Sequence, residues 1–202
     1  YEDGENSIIS FPEFLLLVLD VCTGGEQPAS HYQPDKLIEK FDALKTHFTA
    51  GEFYEKMLYY RLLLDYYTIR RDIKDGQGNY SLILKGPKDD NDKLKQYQSM
   101  LYVSTEAFYN WLKPYLRKLE QDELQSFAEM LAFLKKEDNE RHGVLPDRKD
   151  LSYKASGNIR YWFWRLDYYL WEQRSTFFNE EEQKIVCLLY TSDAADEARS
   201  VD

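Results

Sequence analysis

The chain has 202 residues, of which 43% are hydrophobic and 31% charged, enough for one sizeable domain to bury a core without disulfides or metals to staple it. Its 17 Tyr, 11 Phe and 4 Trp argue for a packed interior and against disorder. The net charge of −10, with Lys and Arg scattered, makes this stretch alone a poor binder of phosphate backbones.

The first helix begins at Ser10-Phe11-Pro12-Glu13. Ser10 can cap it, Glu13 completes a capping box, and Pro12 is tolerated because first-turn N–H groups have no helical partner. Leu15 to Leu19 make the helix apolar almost all round, which implies burial, and Gly24-Gly25 ends it. The longest apolar run, Phe14 to Leu19, is far too short to cross a bilayer.

Pro34-Asp35 opens a second helix, with Leu37, Ile38, Phe41 and Leu44 at helical spacing. A third and longer one is expected from Glu52 to about Arg71. Its stripe is Phe53, Met57, Tyr60, Leu64 and Tyr67, flanked by Tyr54, Leu58 and Leu62. Glu52 with Lys56, and Arg61 with Asp65, are spaced to form ion pairs one turn apart. Asp75-Gly76-Gln77-Gly78-Asn79 is turn material, and Tyr80 to Lys85 reads as a short strand, one arm of a hairpin.

Asp89-Asp90-Asn91 offers caps for a fourth helix carrying Leu94, Tyr97, Met100 and Leu101. A fifth starts at Ser104-Thr105 and covers Glu106 to about Leu119, with Pro114 expected to kink or divide it. A sixth is expected from about Asp122 to Lys136, with Leu124, Phe127, Ala128, Leu131 and Leu134 on one face. Asp138 to Gly157 reads as a polar loop and a candidate joint between two subdomains. Asn158 caps the last helix, Ile159 to about Arg174. Seven of the eleven residues from Tyr161 to Trp171 are aromatic, so this helix is expected to sit centrally, packed on several others. The fold class is therefore mainly α: about seven helices in an irregular bundle, with a short strand or hairpin near 80–85.

The two ends read as a fragment's start and a foreign tail. The chain opens on Tyr1-Glu2-Asp3-Gly4 with no initiator Met, which suggests a fragment. Residues Cys187 to Glu197, CLLYTSDAADE, resemble one reading frame of a transposase-type sequencing adapter. The native sequence is expected to stop near Val186, leaving 1–186 as the helical region and 187–202 as a foreign tail. That tail carries four acids (Asp193, Asp196, Glu197, Asp202) and Arg199, so without it the net charge is −7, from −10 plus 3.

Little points to catalysis. His31, His47 and His142 are far apart and lack the ligand spacing of a zinc site or a Cys partner for nucleophilic chemistry. They read as ordinary surface or loop residues. Carboxylate runs such as Asp89-Asp90-Asn91-Asp92 and Glu180-Glu181-Glu182 read as solvated caps. Gly76-x-Gly78 is too short for a dinucleotide fingerprint, and no Walker loop or G-x-S-x-G occurs. The two cysteines, Cys22 and Cys187, form no framework and fit a reducing cytoplasm.

Six segments in order resemble the central region of GmrSD-type restriction proteins. They are ISFPEFLLLVLDV (Ile9 to Val21), KLIEKF (Lys36 to Phe41), LYYRLLLDYYTIRRD (Leu58 to Asp72), QSMLYVS (Gln98 to Ser104), NWL (Asn110 to Leu112) and RYWFWRLDYYLW (Arg160 to Trp171). The resemblance implies a helical connector between a ParB-like, NTP-using N-terminal domain and a C-terminal HNH nuclease. Such a parent restricts modified phage DNA, using a nucleoside triphosphate and a divalent metal. Its own missing terminal domains, and DNA, would be its partners.

The family's catalytic motifs do not carry over. Asp75-Gly76-Gln77-Gly78-Asn79 shares three letters with D-G-Q-Q-R but lies in the wrong order. His142-Gly143-Val144-Leu145-Pro146 has one residue too many for H-x-x-P and precedes the aromatic helix. No catalytic, cofactor-binding or metal-binding residue is assigned. The structural or interdomain candidates are Arg61 and Asp65, and, in the aromatic helix, Arg160, Trp162, Arg165 and Asp167. The alternative reading is a free-standing helical interaction module. Solvent-exposed Trp162, Trp164 and Trp171 would favour a surface that a partner or a missing domain covers.

Overall fold

A computed structural model describes residues 5–73, 80–85, 91–104, 106–149, 151 and 158–183. The protein is mainly helical, with one small antiparallel sheet. In chain order the elements are β1 (Glu5–Ser7), α1 (Phe11–Cys22), α2 (Leu37–Leu44), α3 (Ala50–Tyr67), β2 (Ile69–Ile73) and β3 (Tyr80–Leu84). After them come α4 (Asp92–Val103), α5 (Phe108–Glu120), α6 (Phe127–His142), α7 (Asn158–Glu172) and the short α8 (Arg174–Phe177). Short 3-10 turns flank α2 and precede it at Ala29–His31.

Helix α1 starts as its sequence dictates. Ser10 Oγ accepts from the Glu13 amide at 3.4 Å, and the Glu13 carboxylate accepts from the Ser10 amide at 2.7 Å. Leu16 to Leu19 are fully buried, and α1 packs on α2 and α3. The chain continues through α3 on α5, α5 on α6, and α6 on α4, which also carries α7. One continuous core of buried side chains runs from Ile9 to Trp171.

Helix α2 is only partly buried. Leu37, Phe41 and Leu44 pack partly on the core, but Ile38 is 75% exposed. The α3 stripe faces inward as its spacing requires, with Phe53, Tyr60 and Leu64 buried and Met57 and Tyr67 packed against them. Its N-terminus carries a capping box between Thr49 and Glu52. Glu52 is thereby used as a cap, and Lys56 pairs with Glu120 of α5 instead.

The end of α3 is set by tertiary contacts. The helix stops at Tyr67, four residues short of the expected Arg71, and the chain turns into β2. Buried Gln98 of α4 holds the switch: its Oε1 accepts from the Ile69 amide at 2.9 Å and its Nε2 donates to the Tyr67 carbonyl at 3.0 Å. Tyr115 of α5 donates to the same carbonyl at 3.1 Å. β2 then lies between β1 and β3, with Arg71 opposite Asn6 on one side and Leu82 on the other. The strand expected at Tyr80 is present, and β2 is its hairpin partner. The turn between them, 74–79, and residues 86–90, which include Asp89 and Asp90, lie outside the described residues.

Three boundaries in the second half also moved. Helix α5 begins at Phe108, and Glu106 precedes it as a side-chain acceptor. Pro114 does not divide α5. A proline at 114 cannot donate to the Asn110 carbonyl, and Arg141 of α6 donates to that carbonyl instead. Asp122 does not open α6; it adopts a left-handed conformation (φ 56°) in the turn after α5. The start lies at Ser126, whose capping box with Glu129 is complete. Nor does the chain become a loop at Asp138. Helix α6 continues to His142 and ends on Gly143, whose φ of 80° favours glycine. Residues 150 and 152–157 lie outside the described set.

Candidate functional site

Two buried carboxylates organise the interior. Asp20, on α1, and Asp138, on α6, each have no exposed surface. Asp20 sits one turn beyond Leu16, on the face that packs inward. Its Oδ1 accepts from the Gln27 amide at 2.9 Å, and its Oδ2 accepts from Lys113 of α5 at 3.0 Å and from the Tyr32 hydroxyl. His31 is buried beside it. Its Nε2 donates to the Leu16 carbonyl at 2.8 Å, which leaves Nδ1 buried without a hydrogen bond. His31 lies in a turn, as expected of a loop residue, but not at the surface: its ring is buried against α1.

Asp138 lies two turns after Met130 and one after Leu134, both buried. Its Oδ2 accepts from the hydroxyls of Tyr97 (α4) and Tyr161 (α7), each at 2.7 Å. Arg165 of α7 stands 3.8 Å from the same oxygen, while Oδ1 is buried without a hydrogen bond. One carboxylate thus joins three helices. Burial, then the charge and hydrogen bond of Asp138, pushes both phenols far above their ordinary range. They are fixed as neutral donors and cannot serve as nucleophiles or bases near neutral pH.

The sequence candidates fall around this second centre. Arg165 donates to the Gly143 carbonyl at 2.8 Å, to the Tyr161 hydroxyl at 2.9 Å, and to Asn139. Its guanidinium lies 5.1 Å from the ring centre of Trp162, which is buried. Its carboxylate partner is Asp138; Asp167, two residues along the helix, faces a different way. Asp167 is half-buried, and burial raises its carboxyl above the usual range. Arg160 is exposed. Arg61 and Asp65 form the expected pair on α3 at 2.8 Å, part-exposed on both sides.

His142 closes the C-terminal end of α6. Its ring stacks on Tyr161 with centroids 4.1 Å apart, and its Nε2 lies 3.2 Å from Glu106. Burial raises the Glu106 carboxyl, but hydrogen bonds from His142 and Asn110 and the charges of His142 and Arg141 outweigh it and leave it below the ordinary range. His47 is exposed. Among the described residues no group of three or more His, Cys, Asp and Glu side chains converges on a point that could hold a metal. None of their helices is long and apolar enough to cross a membrane.

What remains is surface. The aromatic helix is not central. One side of α7 buries Tyr161, Trp162, Tyr168 and Trp171, and the other exposes Phe163, Leu166 and Tyr169 at 49–59%. Helix α3 likewise turns Tyr54, Leu58, Tyr59, Leu62 and Tyr66 to solvent. Between α3, α4, α6 and α7 lies an open groove of about 780 Å³, lined by Tyr66, Phe127, Met130 and Lys93, with Lys135 bonded across it to Glu172. Sequence reading missed Asp138 because KKEDNERH looks like a solvated run. The spacing Met130, Leu134, Asp138 was the signal that could have found it. Comparison of the chain with protein-family models, curated proteins and solved structures returned no match.

Proposed function

We propose that this chain is a helical scaffold, the connector between the NTP-using and HNH nuclease domains of a GmrSD-like type IV restriction protein of the cytoplasm. On this reading it carries no catalytic residue and holds the working domains at a fixed separation. The observation that supports it most is the outer face of α3. That helix packs Phe53, Tyr60 and Leu64 into the core while leaving Tyr54, Leu58 and Leu62 more than 60% exposed on the other side. An 18-residue helix that is apolar on both sides suits a position between two bodies. The buried ties at Asp20 and Asp138 give such a connector the stiffness it needs. The nucleotide and the divalent metal of the parent would belong to the other domains.

The decisive experiment uses the parent gene recovered with both flanks. A D-G-Q-Q-R motif upstream and an H-x-x-P motif with later Asn and His downstream are expected. Leu58→Glu combined with Leu62→Glu should then abolish restriction of phage while leaving the helical content unchanged. The chain alone, given plasmid or phage DNA with Mg²⁺ or Mn²⁺ and nucleoside triphosphates, should cut nothing. Cleavage that persists after substitution of both His31 and His142 would overturn the scaffold reading. Trp162 and Trp171 are buried and Trp164 is partly so, so these three side chains support neither this reading nor the rival one, a free-standing interaction module.

A further inference from the structure

The outer face of α7 has a repeat that its inner face does not need. Ile159, Phe163, Leu166 and Leu170 follow one another at steps of four, three and four residues. These are the a and d positions of a heptad, the pattern that pairs one helix with another. Phe163 is 59% exposed, Leu166 49%, and Ile159 and Leu170 partly exposed, so no helix among the described residues fills the seam. Arg160 and Asp167 lie along one edge of it, each directly after a d-type residue. Seven residues separate them, about 10 Å along the axis. Neither has an ion pair among the described residues. Asp167 is half-buried between apolar neighbours, and burial alone raises its carboxyl. An acid in that setting lacks a cation.

We propose that a second copy of this chain docks on this face, with the two α7 helices antiparallel. The positions themselves dictate the arrangement. In an antiparallel pair each a residue meets a d residue of the partner. Setting Phe163 against a second Leu166 sets Ile159 against a second Leu170, giving four closed apolar layers. The same register brings Arg160 of each copy beside Asp167 of the other, so both edge charges are satisfied twice by one symmetry axis. Tyr169, 50% exposed, lies along the opposite edge and brings no like charge. A parallel pairing would not do this, because it sets the Arg160–Asp167 edge against the Trp162–Tyr169 edge. The seam is only about three turns long. The contact therefore lies near the ~1,000 Å² lower limit of specific interfaces, and the dimer is of micromolar strength. The inference does not depend on the scaffold reading and stands or falls separately.

Sedimentation equilibrium of the full chain across micromolar concentrations tests it. The mass should rise towards twice that of one chain. Arg160→Asp and Asp167→Arg, each alone, set like charges face to face and should weaken association by roughly ten-fold. An equimolar mixture of those two variants should associate as tightly as the original, because each supplies the charge the other lacks. Recovery in the mixture also shows that both variants fold. Phe163→Asp with Leu166→Asp should remove association while the far-ultraviolet helical signal persists. A chain that stays monomeric throughout overturns the proposal. So does a mixture no tighter than either variant, or association that survives the Phe163 and Leu166 substitutions.

Discussion

Asp20 and Asp138 are equally buried but differently satisfied. Asp20 has a lysine at 3.0 Å, a tyrosine hydroxyl and a backbone amide, with both oxygens in use. Asp138 has two tyrosine hydroxyls on one oxygen, an arginine at 3.8 Å, and a second oxygen with no hydrogen bond. The first is a closed ion pair that fastens α5 to α1 and to the turn that follows it. The second is a hub whose strength lies in joining α4, α6 and α7, with the arginine mostly spent on Asn139 and the end of α6. The contrast shows that a buried acid can be held by a matched charge or by neutral donors, and the two should respond differently to mutation.

The largest difference should appear on removing the acid from the ion pair. Asp20→Ala leaves Lys113 with only the Gly25 carbonyl and strands the Tyr32 hydroxyl and the Gln27 amide, and should cost about 3–5 kcal/mol in urea unfolding. A loss below about 1 kcal/mol would mean that Lys113 escapes to solvent and the pair is not closed. At the hub the donors are neutral, so Tyr97→Phe and Tyr161→Phe should each cost about 1–1.5 kcal/mol. Because both donate to one oxygen, the double variant should cost more than the two singles summed, with a coupling of about 0.5–1 kcal/mol in a double-mutant cycle. Strict additivity would dissolve the hub into two independent bonds.

The smallest effect belongs to Glu106, which braces the hub from outside through His142. Glu106→Gln should cost about 1 kcal/mol at neutral pH. Its folded pKa lies below the ordinary 4.5, so its contribution is present above that value and is lost as the pH falls through the lowered one. The stability gap between the original chain and the variant should therefore close on acidification below about pH 4.5 in paired acid-unfolding curves. A gap that widened instead would reverse the assigned sign.

Local chemistry made much of the fold legible. Ser10 and Glu13 mark the start of α1, the Phe53, Tyr60, Leu64 stripe picks the inner side of α3, and Tyr80 to Leu84 reads as a strand. Each depends only on neighbours in sequence. The candidate site was legible in part. Arg165 was singled out because a charge in an aromatic helix must find a partner, but its partner lies 27 positions away in a run that looks solvated. The capping boxes at Thr49 and Ser126 were equally readable from sequence and were overlooked.

The sequence by itself determined that this chain is mainly helical, where several helices begin, and which stripes can be apolar, because caps and periodicity are properties of adjacent residues. Only the tertiary structure decided where α3 stops, what accepts the burden of Pro114, and which side of α7 stays in solvent. Gln98 reaches the Ile69 amide and Arg141 the Asn110 carbonyl across separations of 29 and 31 residues. No local pattern encodes such contacts, since a backbone group freed in one helix is satisfied by whichever side chain the packing brings within hydrogen-bond reach.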